Sequence, residues 1–150
     1  MNNDMIYMKI ALKEAEKSLK YDDVPIGAVI VKDNKVIAKA HNMKEKKAIA
    51  TKHAEIIAIE KACKKLGTWY LNDCILYITV EPCLMCCGAI IQSRIKNIVY
   101  ATKNEKFGYV ESIEKIFENK RNNHSVNVKN GICESDAKKI IQNFFRNKRD

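Results

Sequence analysis

Two short segments, His53-Ala54-Glu55 and, farther along, Glu81-Pro82-Cys83-Leu84-Met85-Cys86, hold the residue types whose spacing can do chemistry. An imidazole and two thiols, from His53, Cys83 and Cys86, suit zinc, which is borderline-soft and takes N and S ligands tetrahedrally. Three protein ligands leave the fourth position to water, the mark of a catalytic rather than a structural site. Zn2+ with two thiolates and one neutral imidazole sums to zero charge, so a neighbouring base helps to deprotonate that water. Glu55 fits the role: it would take the water proton and deliver it to a ring nitrogen, and a second proton transfer would let an amine depart.

The spacing also says how these side chains must be held. Cys86 follows Cys83 by three residues, so both can look the same way within one helical turn. Cys87 is rotated roughly 100° farther round and reads as a buried small hydrophobe. His53 and Glu55 would diverge on a regular helix, so the site requires them in a first turn. Helix N-termini carry partial positive charge, which favours the thiolate forms of Cys83 and Cys86. A lone Cys-x-x-Cys can also be a redox pair, but its joint occurrence with His-x-Glu is far more restrictive. Cys63, Cys74 and Cys133 show no ligand spacing.

The elements that must position these groups follow from periodicity. Met8, Ala11, Leu12, Ala15 and Leu19 form one stripe of a helix over Asp4 to Lys20. Ile26–Val31 and Lys35–His41 read as strands of a hairpin turned by Asp33-Asn34. A helix is expected from His53 to Leu66, ended by Gly67, then a strand over Cys74–Val80 and a helix through Leu84 to Ser93. Beyond it the pattern predicts a strand over Ile95–Ala101, a helix over Val110–Phe117, a short strand over Ser125–Val128 and a last helix from Ser135 to about Lys148. This α-β-β-α-β-α-β-α-β-α order implies a three-layer α/β/α fold with a mixed five-stranded sheet. No linker or repeat interrupts it, so residues 1–150 are expected to form a single domain.

Composition narrows the setting. Hydrophobic residues make up 47% and charged residues 30% of the chain, ordinary values for a globular protein. No apolar run approaches a membrane span, and Met1-Asn2-Asn3-Asp4 does not begin a signal peptide. Cys83, Cys86 and Cys87 are too bunched for a disulfide scaffold, which points to a reducing cytoplasm. The 27 Lys and Arg against 18 Asp and Glu leave a net charge of +9, a mild argument for a polyanionic partner. Near the C-terminus, Asn143-Phe144-Phe145-Arg146-Asn147-Lys148-Arg149 interleaves aromatic and basic residues. At most one phenylalanine should pack inward; the other, assigned as Phe145, could stack on an unpaired base.

His-x-Glu followed by Pro-Cys-x-x-Cys is the signature of zinc nucleobase deaminases. Together with Asp23-Val24-Pro25-Ile26-Gly27-Ala28-Val29, Ala40-His41-Asn42, Ser93-Arg94-Ile95 and Gly131-Ile132, it makes the chain resemble the bacterial tRNA adenosine deaminase family over nearly its whole length. The resemblance implies a cytidine deaminase-like fold, one Zn2+ per subunit, a homodimer, and conversion of the wobble adenosine of a tRNA anticodon stem-loop to inosine. It also implies that Asn42 holds the target nucleoside, that the Ala54 backbone and the loop from Val24 to Ile26 line the pocket, and that Asn104 and Lys106 lie in a loop facing nucleic acid. That loop departs from the family pattern: Asn104 stands where an Asp is usual, and Phe107-Gly108-Tyr109 replace a small Gly-Ala-rich stretch. Gln92 likewise stands where a His is frequent. The nearest alternative activity is deamination of a free base or nucleoside, such as guanine, cytosine or cytidine. A zinc-stabilised RNA-binding module without catalysis is the reading from another class.

Overall fold

Strand β1 (Gly27–Lys32) is buried at every position but its last, which suits an interior strand rather than an edge. In the computed structural model, which describes residues 3–149 and of Arg149 only the backbone, β1 does lie inside a five-stranded sheet. The order is β2 (Lys35–His41), β1, β3 (Cys74–Val80), β4 (Asn97–Thr102) and β5 (Asn127–Asn130). β1 runs antiparallel to both β2 and β3, whereas β3, β4 and β5 are mutually parallel. Asp33 and Asn34 turn the β1–β2 hairpin with both residues at positive φ (51° and 60°), the geometry that matches the twist of the strands.

Strict alternation along the strands divides the core in two. Ala28, Ile30, Leu76, Ile78, Ile98 and Tyr100 face one layer, and Val29, Val31, Tyr77, Val99 and Ala101 face the other. α3 (Ala54–Leu66) and α4 (Leu84–Gln92) cover the first face with Ile57, Ala58, Ala62, Cys87 and Ile90. α1 (Asp4–Ser18) and α5 (Glu134–Arg149) cover the second with Met8, Ala11, Leu12 and Ala137. Full burial of a side chain such as Ile90 contributes about 1.5–3 kcal/mol, so each face is an independent source of stability. Gly27 is required where β1 starts, because a Cβ there would overlap the Ala11 carbonyl and the Ala15 nitrogen of α1.

The expected three-layer architecture and mixed sheet are thus present, with three differences. The sequence gives no sign of α2 (Lys44–Lys47), a single turn between β2 and α3. The helix expected over Val110–Phe117 does not form: only one turn of 3-10 helix exists there, at Ile116–Glu118. Its apolar spacing is real, but the Ile116 amide, which a helix would give to the Ser112 carbonyl, donates to the Tyr109 carbonyl at 3.1 Å, and the Ile113 amide to the Gly108 carbonyl at 2.9 Å. β4 and β5 each begin two residues later than their apolar runs suggest.

Candidate active site

α3 and α4 begin at the same end of the sheet, and each is entered through a candidate ligand. His53 is the N-cap of α3 and Cys83 the N-cap of α4, both with extended backbone and neither spending its side chain on a cap hydrogen bond. Their side chains are therefore free to converge. His53 Nδ1 lies 3.6 Å from Cys83 Sγ and 3.6 Å from Cys86 Sγ. All three donor atoms lie within 4.8 Å of one another. Zn–S bonds of about 2.3 Å and Zn–N bonds of about 2.0–2.1 Å at tetrahedral angles set an N···S edge of roughly 3.6 Å. The donor set fits that ion in kind and in spacing.

Electrostatics makes the same point. A hydrogen bond from Cys86, opposed by burial and joined by one from His53, holds the Cys83 thiol down to about 4. The bond to Cys83, together with burial, pushes the Cys86 thiol up. The bond to Cys83, against burial, raises the His53 imidazole. Two adjacent thiolates repel in a dry site, and a divalent cation removes the conflict. Cys87 takes no part: it is fully buried, its thiol faces the Pro82 carbonyl at 3.7 Å, and burial pushes its pKa up.

Glu55, in the first turn of α3, is 3% exposed, and burial pushes its carboxyl up to about 7. Its own backbone hydrogen bond and the His53 charge lower it, while the Cys83 charge raises it. Among the described residues its Oε1 is the one buried side-chain oxygen or nitrogen without a hydrogen-bond partner. A carboxylate that is buried, partly unpaired and beside three metal-type donors is equipped to exchange protons with a small molecule.

Asn42 joins this group through α3. Its Oδ1 accepts the Ala54 amide at 2.8 Å, so the Ala54 N–H is engaged within the protein and only its backbone surface can border a ligand. Ser18 Oγ donates to the Asn42 carbonyl at 2.9 Å, which anchors the end of β2 to the last residue of α1. Val24 and Ile26 adjoin: the Asn42 amide donates to the Ile26 carbonyl at 3.1 Å, and the Ile26 amide to Val24 at 2.9 Å. Asp23, given no role by the sequence, is buried and accepts the amides of Glu45 and Lys46 at 2.8 and 3.3 Å. It clamps α2 to the loop containing Val24 and Ile26.

Asn104 is tied to the ligand turn by its amide, which donates to Glu81 Oε1 at 3.0 Å; Lys106 is exposed on the same loop. Phe145 is 45% exposed on α5, which covers the face of the sheet opposite α3 and α4. Phe144 is the inward member of the pair and borders a groove with Leu19 and Ile140. An ion pair between Lys148 and Asp22 pins the end of α5 beside the segment that leads into Val24. The Arg149 side chain lies outside the described residues.

The MafB19-like deaminase family model matches residues 2–149. A tRNA-specific adenosine deaminase of Streptococcus pyogenes serotype M1 is 46% identical over 96% of this chain and 84% of its own. A solved structure from work on A-to-I editing by tRNA:A34 deaminases superposes with a TM-score of 0.87 at 40% identity, covering 90% of this chain and 98% of the other. A guanine deaminase of Bacillus subtilis superposes with a TM-score of 0.64 at 44% identity, over 69% and 66%. With this site built on this sheet, the chain belongs to the MafB19-like deaminase family.

Proposed function

We propose that the chain, as one catalytic domain, deaminates adenosine to inosine at the wobble position of a tRNA anticodon stem-loop. His53, Cys83 and Cys86 would hold one Zn2+ per subunit, whose Lewis acidity makes a water nucleophilic near neutral pH. Glu55 accepts the proton that this water loses as its oxygen attacks C6 of the adenine, and delivers it to N1. A second transfer through Glu55 moves the remaining proton of the oxygen now bonded to C6 onto the exocyclic amine; the C6–N bond breaks as the C6 carbonyl forms, ammonia leaves and inosine remains. Asn42 holds the nucleoside from the side facing α3, and the Ala54 backbone, Val24 and Ile26 border it. Asn104, Lys106 and Phe145 meet the RNA around the reacting nucleotide.

The observation that carries this reading is Glu55 Oε1, buried without a partner beside the three convergent donors. The choice of tRNA is supported by the names of relatives 40–46% identical over most of the chain and by the charge of +9. The guanine deaminase likeness favours a free purine base as the second reading. A cytoplasmic setting is the one that suits a tRNA substrate; no described helix is long and apolar enough to cross a membrane. A homodimer is supported by α4, which has no charged residue and leaves Leu84 and Gly88 exposed on its outer side.

Zinc quantification combined with inosine mapping in treated tRNA tests the whole. Wild-type protein should hold about one zinc per chain and convert the wobble adenosine. Glu55→Ala should keep the metal and lose at least about 10²-fold in rate. A fully active Glu55→Ala protein, or ammonia released from guanine and not from tRNA, would refute the proposal.

A further inference from the structure

Glu81 supplies no donor to the metal-type group, yet it is 2% exposed and its carboxylate collects five hydrogen bonds from one loop. Oε1 accepts the Asn104 amide at 3.0 Å and the Ser112 hydroxyl at 2.5 Å; Oε2 accepts the amides of Val110, Glu111 and Ser112. These bonds fill the roughly four lone-pair positions of an ionised carboxylate. Gly108 packs against it so closely that a Cβ would overlap the Glu81 carboxyl group. Gly108 also forms an isolated antiparallel bridge with Cys83, and the Tyr109 amide donates to the Pro82 carbonyl at 3.0 Å. The loop is thus bolted to the turn that presents a candidate ligand.

What the loop holds out is Phe107. Its amide is tied back to Asn104 Oδ1 at 3.1 Å, and its ring is 65% exposed, more than any other exposed large hydrophobic side chain among the described residues. Its Cα is one peptide step, about 3.8 Å, from that of Gly108, the residue paired with Cys83. Lys103 and Lys106 precede it on the same loop, both exposed. An exposed aromatic face on a loop that also carries cations, at the edge of a site that takes one base, matches the way single-stranded nucleic acid is gripped.

We propose that Phe107 is a specificity-determining residue that stacks on the nucleobase next to the one that reacts. Glu81 is the positioning residue that fixes its loop. This rests on the polynucleotide substrate argued above, because a free base has no flanking neighbour to stack.

Steady-state kinetics on an anticodon stem-loop test it, with Phe107→Ala, Phe107→Leu, Phe107→Trp and Glu81→Gln. Phe107→Ala and Phe107→Leu should raise KM at least about fivefold with kcat within about twofold, and Phe107→Trp should keep the wild-type KM. Glu81→Gln turns an acceptor into an amide facing the Asn104 N–H. It should raise KM similarly and speed hydrogen exchange at Val110, Glu111 and Ser112, with zinc per chain unchanged. If that variant does not fold, Ser112→Ala, which removes one bond of the set, should shift both readouts in the same direction by less. A stem-loop KM unmoved by Phe107→Ala overturns this inference alone, and retention of KM by Phe107→Leu overturns stacking. Unmoved exchange and KM in Glu81→Gln remove the positioning role. A zinc-loaded wild type that deaminates no stem-loop overturns this and the proposed function together.

Discussion

Cys86 and Cys87 are neighbours in sequence that the fold turns to opposite uses. Cys86 Sγ faces His53 Nδ1 at 3.6 Å, whereas Cys87 is packed with Ile90 and Ala58 in the core under α3 and α4. Cys86→Ala should therefore leave the chain with little zinc after purification and extensive dialysis. Cys87→Ala should retain full stoichiometry and lose only about 1 kcal/mol of stability from the small cavity. Metal content by atomic absorption with parallel thermal melts checks both; zinc lost equally from the two variants would invalidate the ligand assignment. At this scale the sequence was legible wherever chemistry is local. His53, Glu55, Cys83 and Cys86 are marked by type and spacing, and the roughly 100° step between adjacent helical residues separates Cys86 from Cys87. Glu81 and Asp23 were not legible as organisers, because their partners lie far along the chain: Asn104 to Ser112 for one, Glu45 and Lys46 for the other.

Elements decide how firmly that chemistry is held. The N-terminal ends of α3 and α4 must meet at one end of the sheet, and β1 sits between the helix layers that fix them. Gly27 starts β1 under the α1 backbone, so Gly27→Ala must push α1 outward. The expected cost is about 3 kcal/mol, the upper end for overpacking, with a corresponding drop in melting temperature. Lys13→Ala is the control: Lys13 is exposed on α1, and a surface substitution away from packed groups changes stability by about 0.5 kcal/mol or less. Equal effects of the two substitutions, measured by denaturant unfolding, would show that close packing of α1 on β1 is not what Gly27 serves. The same logic explains the misread helix. Residues 110–117 have helical spacing, but the Ile116 amide, which a helix would give to the Ser112 carbonyl, donates to the Tyr109 carbonyl at 3.1 Å, while the Glu81 carboxylate gathers the amides of Val110, Glu111 and Ser112. An eight-residue helix is marginal by itself, so these long-range bonds decide the local structure. Strands β3 and β1, by contrast, were readable almost to the residue, because burial on both faces leaves an uninterrupted apolar run.

Over the whole molecule, the relevant quantity is charge and where it sits. The net +9 includes exposed lysines on α2 (Lys44, Lys46, Lys47) and on α5 (Lys138, Lys139, Lys148). α2 is clamped by Asp23 to the loop bordering Asn42, and α5 is pinned to Asp22 by Lys148, so both basic surfaces are anchored to the same stretch of chain. A tRNA laid across them would displace condensed counterions, and each neutralised phosphate of a single strand adds about 0.7 to the slope of log K against log salt. Three such contacts would weaken binding roughly twentyfold between 50 and 200 mM salt. The stem-loop dissociation constant should therefore rise at least tenfold over that range, while turnover of a neutral purine, where any occurs, should barely respond. Filter binding of a labelled stem-loop across a salt series measures the first, and ammonia release from free adenosine or guanine measures the second. A flat response for the stem-loop would mean that the positive surface does not touch the substrate, and would favour the free-base reading that the guanine deaminase likeness keeps open.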